Sequence, residues 1–156
     1  MTQEDKELLL ADLLARLSHG VKIRLGDYDY QVCGYNSEKE MPVKIWYYYD
    51  SNLTLKSYID VYLTDYRPYL RPMSSMTEKE KDEMFGICTL SDCSVNTDWE
   101  YVGIEIMSSH PRYGDYYSTD YKVIDWLNKN MFDYRGLISK GLALEAPEGM
   151  YEINEK

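Results

Sequence analysis

The chain has 156 residues, 44% of them hydrophobic and 28% charged, a composition that folds around a core instead of staying disordered. Its formal charge of -10, from 27 acidic against 17 basic side chains, argues against nucleic-acid phosphates or an anionic membrane surface as default partners. No apolar run approaches the ~18 residues that a membrane helix needs.

Three cysteines, Cys33, Cys88 and Cys93, form no disulfide framework, and the start of the chain, Met1-Thr2-Gln3-Glu4-Asp5-Lys6, is acidic instead of leader-like. The expectation is a cytoplasmic protein with reduced thiols. Its 17 tyrosines against 2 phenylalanines point to half-wet aromatic surfaces, since a buried phenol ring still needs a partner for its hydroxyl.

In chain order, residues 2–17 read as a helix, with Leu9, Leu10, Leu13, Leu14 and Leu17 on one stripe and Leu13 and Leu14 expected in the core. Gly20 stops it. Residues 21–63 then change to a period of two. Val21, Ile23 and Leu25 alternate with Lys22 and Arg24, and Gly26-Asp27 separates this run from Tyr28–Cys33, a hairpin signal. Val43–Tyr49 is strand-like by its aromatics. Beyond it Ile59, Val61 and Leu63 share one face, and Lys56, Tyr58, Asp60 and Tyr62 the other. Four antiparallel strands in a meander are expected.

Pro68 and Pro72 predict an extended, irregular segment from Tyr66 to Met73. Thr77 with Glu80 is a capping box that opens a helix over 77–86. Val102, Ile104 and Ile106 alternate in a fifth strand over 99–107, followed by a loop over 108–118. Residues 120–141 read as two helices, one capped by Asp120 and carrying Ile124, Leu127 and Met131, the other capped by Asp133. Residues 147–156 read as a loosely held tail. The whole is expected to be a single α+β domain: a mainly antiparallel sheet of about five strands, with the N-terminal helix and two later helices packed on it.

Two segments carry a resemblance. Tyr69-Leu70-Arg71-Pro72-Met73-Ser74-Ser75-Met76-Thr77 is one. The other runs from Ile124-Asp125-Trp126-Leu127-Asn128 through Phe132-Asp133-Tyr134-Arg135-Gly136-Leu137-Ile138 to Gly141-Leu142-Ala143-Leu144-Glu145-Ala146-Pro147. They resemble a family of short uncharacterised proteins carried by Bacteroidales gut bacteria and their phages and mobile elements. The resemblance implies a small cytoplasmic protein, phage-borne or carried by a mobile element. It brings no activity and no catalytic residue with it.

Chemistry-bearing patterns are sparse. Cys88, Cys93 and His110 are too loosely spaced, and one ligand short, for structural zinc, so neither a metal nor a cofactor is expected. No nucleophile elbow, phosphate loop or His-Glu-x-x-His motif is present. The pairs Asp27/Asp29 and Asp60/Asp65 are explained by turn chemistry and a solvated strand face. His19 suits the end of a helix.

Two features point to a contact surface. Tyr66, Arg67, Tyr69 and Arg71 form a basic-aromatic cluster in an acidic chain, against the plainer reading that the arginines pair with local acids. Trp46, Tyr48, Tyr58 and Tyr62 offer an aromatic sheet face, unless helices cover it. The reading is a non-enzymatic interaction protein that binds a protein partner, an accessory factor of a phage or mobile element. The alternatives are a small enzyme with a site near Cys88–His110 and an acidic mimic of nucleic acid. The oligomeric state stays open.

Overall fold

The computed structural model describes residues 1–36, 43–48, 56–87, 94–95, 106–110, 114–117 and 121–151, with backbone alone at 46–48, 56–58, 94–95, 106–110 and 114–117. In chain order its elements are α1 (Gln3–Arg16), β1 (Lys22–Leu25), β2 (Tyr28–Tyr35), β3 (Val43–Tyr48), β4 (Lys56–Val61), β5 (Tyr66–Leu70), α2 (Glu78–Ile87), β6 (Ser94–Val95), β7 (Ile106–His110), β8 (Gly114–Tyr117), α3 (Tyr121–Lys129) and β9 (Leu144–Glu145). The class is α+β. The backbone partitions into two compact units, Met1–Leu70 with Leu137–Lys156, and Arg71–Gly136.

In the first unit, α1 starts at a capping box. Thr2 Oγ1 accepts from the Asp5 amide at 3.1 Å, and the Thr2 amide donates to the Asp5 carboxylate at 2.9 Å. The helix buries Leu9, Asp12, Leu13 and Arg16, an i, i+3, i+4, i+7 row. Leu14, expected in the core, is instead 41% exposed. The buried row is turned away from it because Asp12 and Arg16 go inside as a pair. Arg16 Nε and Nη2 donate to the two carboxylate oxygens at 2.8 and 2.9 Å, leaving neither charge bare.

The meander over β1–β4 forms as read. Gly26, at φ 59°, takes the first central position of the two-residue β1–β2 turn, where a type II′ hairpin asks for glycine. A bulge between Val32 and Gly34 shifts the β2–β3 register. Val21, Ile23, Val32, Val43, Ile45 and Val61 are buried.

The sheet extends beyond this meander and stays mainly antiparallel, as expected. It is mixed and six-stranded, in the order β4-β3-β2-β1-β5-β9. Tyr66–Leu70, expected to be irregular, is an interior strand. The penalty against proline is met by position: Pro68 stands opposite Ile23 of β1, while β9 joins the other side only from Tyr69 onward. β9 is parallel, so its chain arrives by a long connection instead of a hairpin. Leu9, Leu70, Leu137, Leu142 and Ala143 close the core around it.

The supposed tail is tied down as far as Tyr151. The Tyr151 hydroxyl accepts from the Lys22 amide at 3.0 Å and donates to the Tyr69 carbonyl at 3.0 Å, standing between β1 and β5 where a ladder bond would otherwise run. Lys22 Nζ donates to the Met150 carbonyl. Burial pushes the Tyr151 phenol up to about 12.

In the second unit, the Thr77/Glu80 box forms: Glu80 Oε2 takes the Thr77 amide at 2.8 Å, and the Glu80 amide reaches Thr77 Oγ1 at 3.3 Å. The strongly amphipathic α3 buries Val123 and Leu127 against Met76, Met84 and Phe132. It ends in a Schellman motif, with Phe132 N bonded to Leu127 O at 3.0 Å and Met131 N to Asn128 O at 3.2 Å. Met131 occupies the left-handed position normally given to glycine, at φ 59°. Its side chain is 1% exposed, so burial offsets the backbone cost.

Two expectations are corrected here. Residues 134–141 form turns instead of a helix. Gly136 and Gly141 are left-handed, and the Asp133 amide bonds the Arg71 carbonyl at 2.8 Å instead of opening a helix. Residues 108–118, read as a loop, contain most of a β7–β8 hairpin in a three-stranded sheet ordered β6-β7-β8. Of the strand expected over 99–107, only 106–107 lie among the described residues, where they begin β7.

Candidate partner-binding site

The β1–β5 register sets Arg24 directly opposite Arg67. Two guanidinium groups side by side on adjacent strands repel. Arg24 is neutralised by Asp29, its opposite on β2, in a close ion pair. The Tyr69 hydroxyl donates to the same carboxylate oxygen at 2.9 Å, and the Arg24 guanidinium lies 5.6 Å from the Tyr69 ring centroid. Arg24 and, less strongly, the Tyr69 hydroxyl hold the Asp29 carboxyl below its ordinary range despite some desolvation. Burial and then the neighbouring Asp29 push the Tyr69 phenol up.

Arg67 is exposed and has no carboxylate partner among the described residues. It lines a shallow cleft of about 300 Å³ with Arg24, Gly26, Thr64, Asp65, Tyr66 and Leu144. Thr64 Oγ1 donates to Asp65 at 3.0 Å. The cleft therefore offers one spoken-for guanidinium, one unclaimed one and one carboxylate.

The four residues of the sequence cluster have separate fates. Tyr66 is 2% exposed, and its hydroxyl is buried without a hydrogen-bond partner. Burial first and the Asp12 charge second push its phenol far up, so it keeps its proton at any ordinary pH. Tyr69 is buried at 4% exposed, with its hydroxyl on Asp29. Arg71 belongs to the second unit and follows the plainer reading. It grips Glu80 with two bonds of 2.7 and 3.1 Å and lies 4.2 Å from the Phe132 ring centroid. Burial would raise the Glu80 carboxyl, but the bonds from Arg71 and Thr77 outweigh it and lower it. Of the four, only Arg67 is exposed.

For the aromatic face, the register sets Trp46 opposite Tyr58 and Tyr48 opposite Lys56. Tyr62, just past β4, is 43% exposed. Cys88 and Cys93 lie outside the described residues, and His110 ends β7 opposite Gly114. Among the described residues no three His, Cys, Asp or Glu side chains gather into a metal-binding group, and no helix is long and apolar enough to cross a membrane.

Sequence reasoning missed Arg24, Asp29 and Thr64. Arg24 and Asp29 showed only as polar positions of a hairpin, and nothing local says that β5 will lie against β1. No protein-family model, curated protein or solved structure matches this chain.

Proposed function

We propose that this chain is a non-enzymatic protein-binding module, an accessory factor of a phage or mobile element, whose contact surface is the Arg67 corner of the first unit. The observation that supports this is the unclaimed Arg67 guanidinium at the mouth of the cleft, in register with an Arg24 already held by Asp29 and Tyr69. Such an arrangement suits a carboxylate-bearing segment of a partner. The held Arg24–Tyr69 stack gives a rigid flank, and Arg67 supplies the bidentate donor fork. A partner's carboxylate would also relieve the Arg24–Arg67 repulsion.

Capture from the chain's native cells identifies partners, and titration of the purified partner then tests the surface. Arg67→Ala is expected to weaken binding about tenfold or more and Arg67→Glu to abolish it, both with unchanged melting temperature. A partner that binds Arg67→Glu as tightly as the wild type refutes this site.

A further inference from the structure

Half of β5 has a free edge among the described residues. One side of the strand pairs with β1 from Tyr66 to Pro68, while β9 joins the other side only at Tyr69 and Leu70. Successive residues of a strand aim their amides and carbonyls at opposite edges. The Leu70 carbonyl accepts from the Ala146 amide at 2.7 Å, on the β9 side. The Tyr69 carbonyl, met by the Tyr151 hydroxyl that also takes the Lys22 amide, faces β1. Counting back, Tyr66 and Pro68 face the β9 side and Arg67 faces β1. Pro68 has no amide, and the Tyr69–Leu144 register brings the Leu144 amide to its carbonyl. Tyr66 keeps an amide and a carbonyl that no described residue uses.

The surroundings of those two groups limit what can take them. Leu144, preceded by the buried Leu142 and Ala143, closes the gap at its far end. An added segment must therefore stop or turn away within about three residues, and Pro68 offers no amide to hold it further. Charge selects a chain that stops. A segment parallel to β5, in line with β9, brings its carboxyl end to the unclaimed guanidinium of Arg67. An antiparallel one would set an ammonium beside Arg67 and Arg24, both of which line this cleft. The order of charges along β5 agrees, with Asp65 at the entrance and Arg67 towards the closed end.

We infer that this gap takes the C-terminus of a partner polypeptide, parallel to β5, with backbone bonds to the Tyr66 amide and carbonyl and its α-carboxylate on Arg67. The inference rests on the reading of the Arg67 corner as the contact surface, and narrows it from any carboxylate to a chain end.

Random heptapeptides displayed with free C-termini are the probe, selected on the immobilised full chain. A subset should be retained. Resynthesised as free acids, these should bind the wild type about tenfold or more tightly than their C-terminal amides, or than the same peptides lengthened by a terminal glycine. Amide exchange at Tyr66 should slow when the free acid is bound. Arg67→Ala should lose about tenfold towards the free acid and nothing towards the amide. Thermal melts establish that this variant folds, and the acid, amide and lengthened peptides are compared on the wild type alone. If all three forms bind the wild type equally but Arg67→Ala weakens them, the corner remains a contact surface and the chain-end inference falls. Peptides that bind Arg67→Ala as tightly as the wild type occupy another site and overturn the inference. A selection that retains no peptide overturns it too.

Discussion

Two arginines four residues apart, Arg67 at the cleft of the first unit and Arg71 in the second, meet opposite treatment, and the contrast shows what makes a charge structural. Arg71 has a carboxylate already fixed by a helix cap, since Glu80 is held by Thr77 before Arg71 reaches it. It also has an aromatic face beneath it, Phe132. The guanidinium therefore gives up part of its hydration for a geometry that costs little to order. Arg67 instead meets another guanidinium across the strand, and the nearest carboxylate on that register, Asp29, already serves Arg24 and Tyr69. One charge is spent on the fold, and the other is exposed with no carboxylate partner among the described residues. Arg16 extends the series to full burial, with a side chain 0% exposed.

The largest effect expected in this series is at Arg16. Arg16→Ala leaves Asp12 buried without its bidentate partner and should cost about 3–5 kcal/mol in denaturant unfolding. The double change Asp12→Leu with Arg16→Met removes both charges and should recover most of that loss. A single variant as stable as the wild type breaks the ranking at its top.

Arg71→Ala should cost about 1–3 kcal/mol, through loss of a charged hydrogen-bonded pair and of the ring contact. The same pair predicts a pH dependence. The folded Glu80 carboxyl lies below its ordinary 4.5, so its contribution is fully present above that value and is lost as pH falls through the lower folded one. Melting temperature should therefore fall more steeply on acidification in the wild type than in Glu80→Gln. Equal slopes would place the acid sensitivity elsewhere.

Arg24→Ala should lower stability less than Arg71→Ala does, because the Arg24–Asp29 pair is 40% and 41% exposed. Arg67→Ala is expected to fall at the bottom, within about 0.5 kcal/mol of the wild type, while losing the partner. A large loss of stability on Arg67→Ala would show that it is tied into the fold after all and would erase the contrast with Arg71.

What could be read in advance divides along the same line. Both helix starts, at Thr2 and at Thr77, and the Gly26-Asp27 turn rest on contacts spanning a few residues, although only the second cap was picked out from the sequence. The N-terminal helix itself was legible, but its buried face was not. Counting leucines chose a stripe through Leu14, whereas the row that packs contains Asp12 and Arg16, which look like surface residues until they find each other. At the candidate site Arg67 stood out by composition. Its neighbours Arg24 and Asp29 did not, since they reach it only through strand pairing.

The sequence by itself determined the N-terminal helix, the helix opened at Thr77, the four-strand meander with its Gly26-Asp27 turn, and that the chain is an acidic α+β protein. These follow from local backbone preferences, caps and hydrophobic period. Only the tertiary structure decided that a proline-bearing segment becomes an interior strand, that a parallel strand from the far end completes the sheet, and that the Tyr151 hydroxyl is placed between β1 and β5. It also decided which of two nearby arginines is used up. Each of those depends on a partner distant in sequence whose arrival supplies a missing hydrogen bond or counter-charge, and no local pattern records who that partner will be.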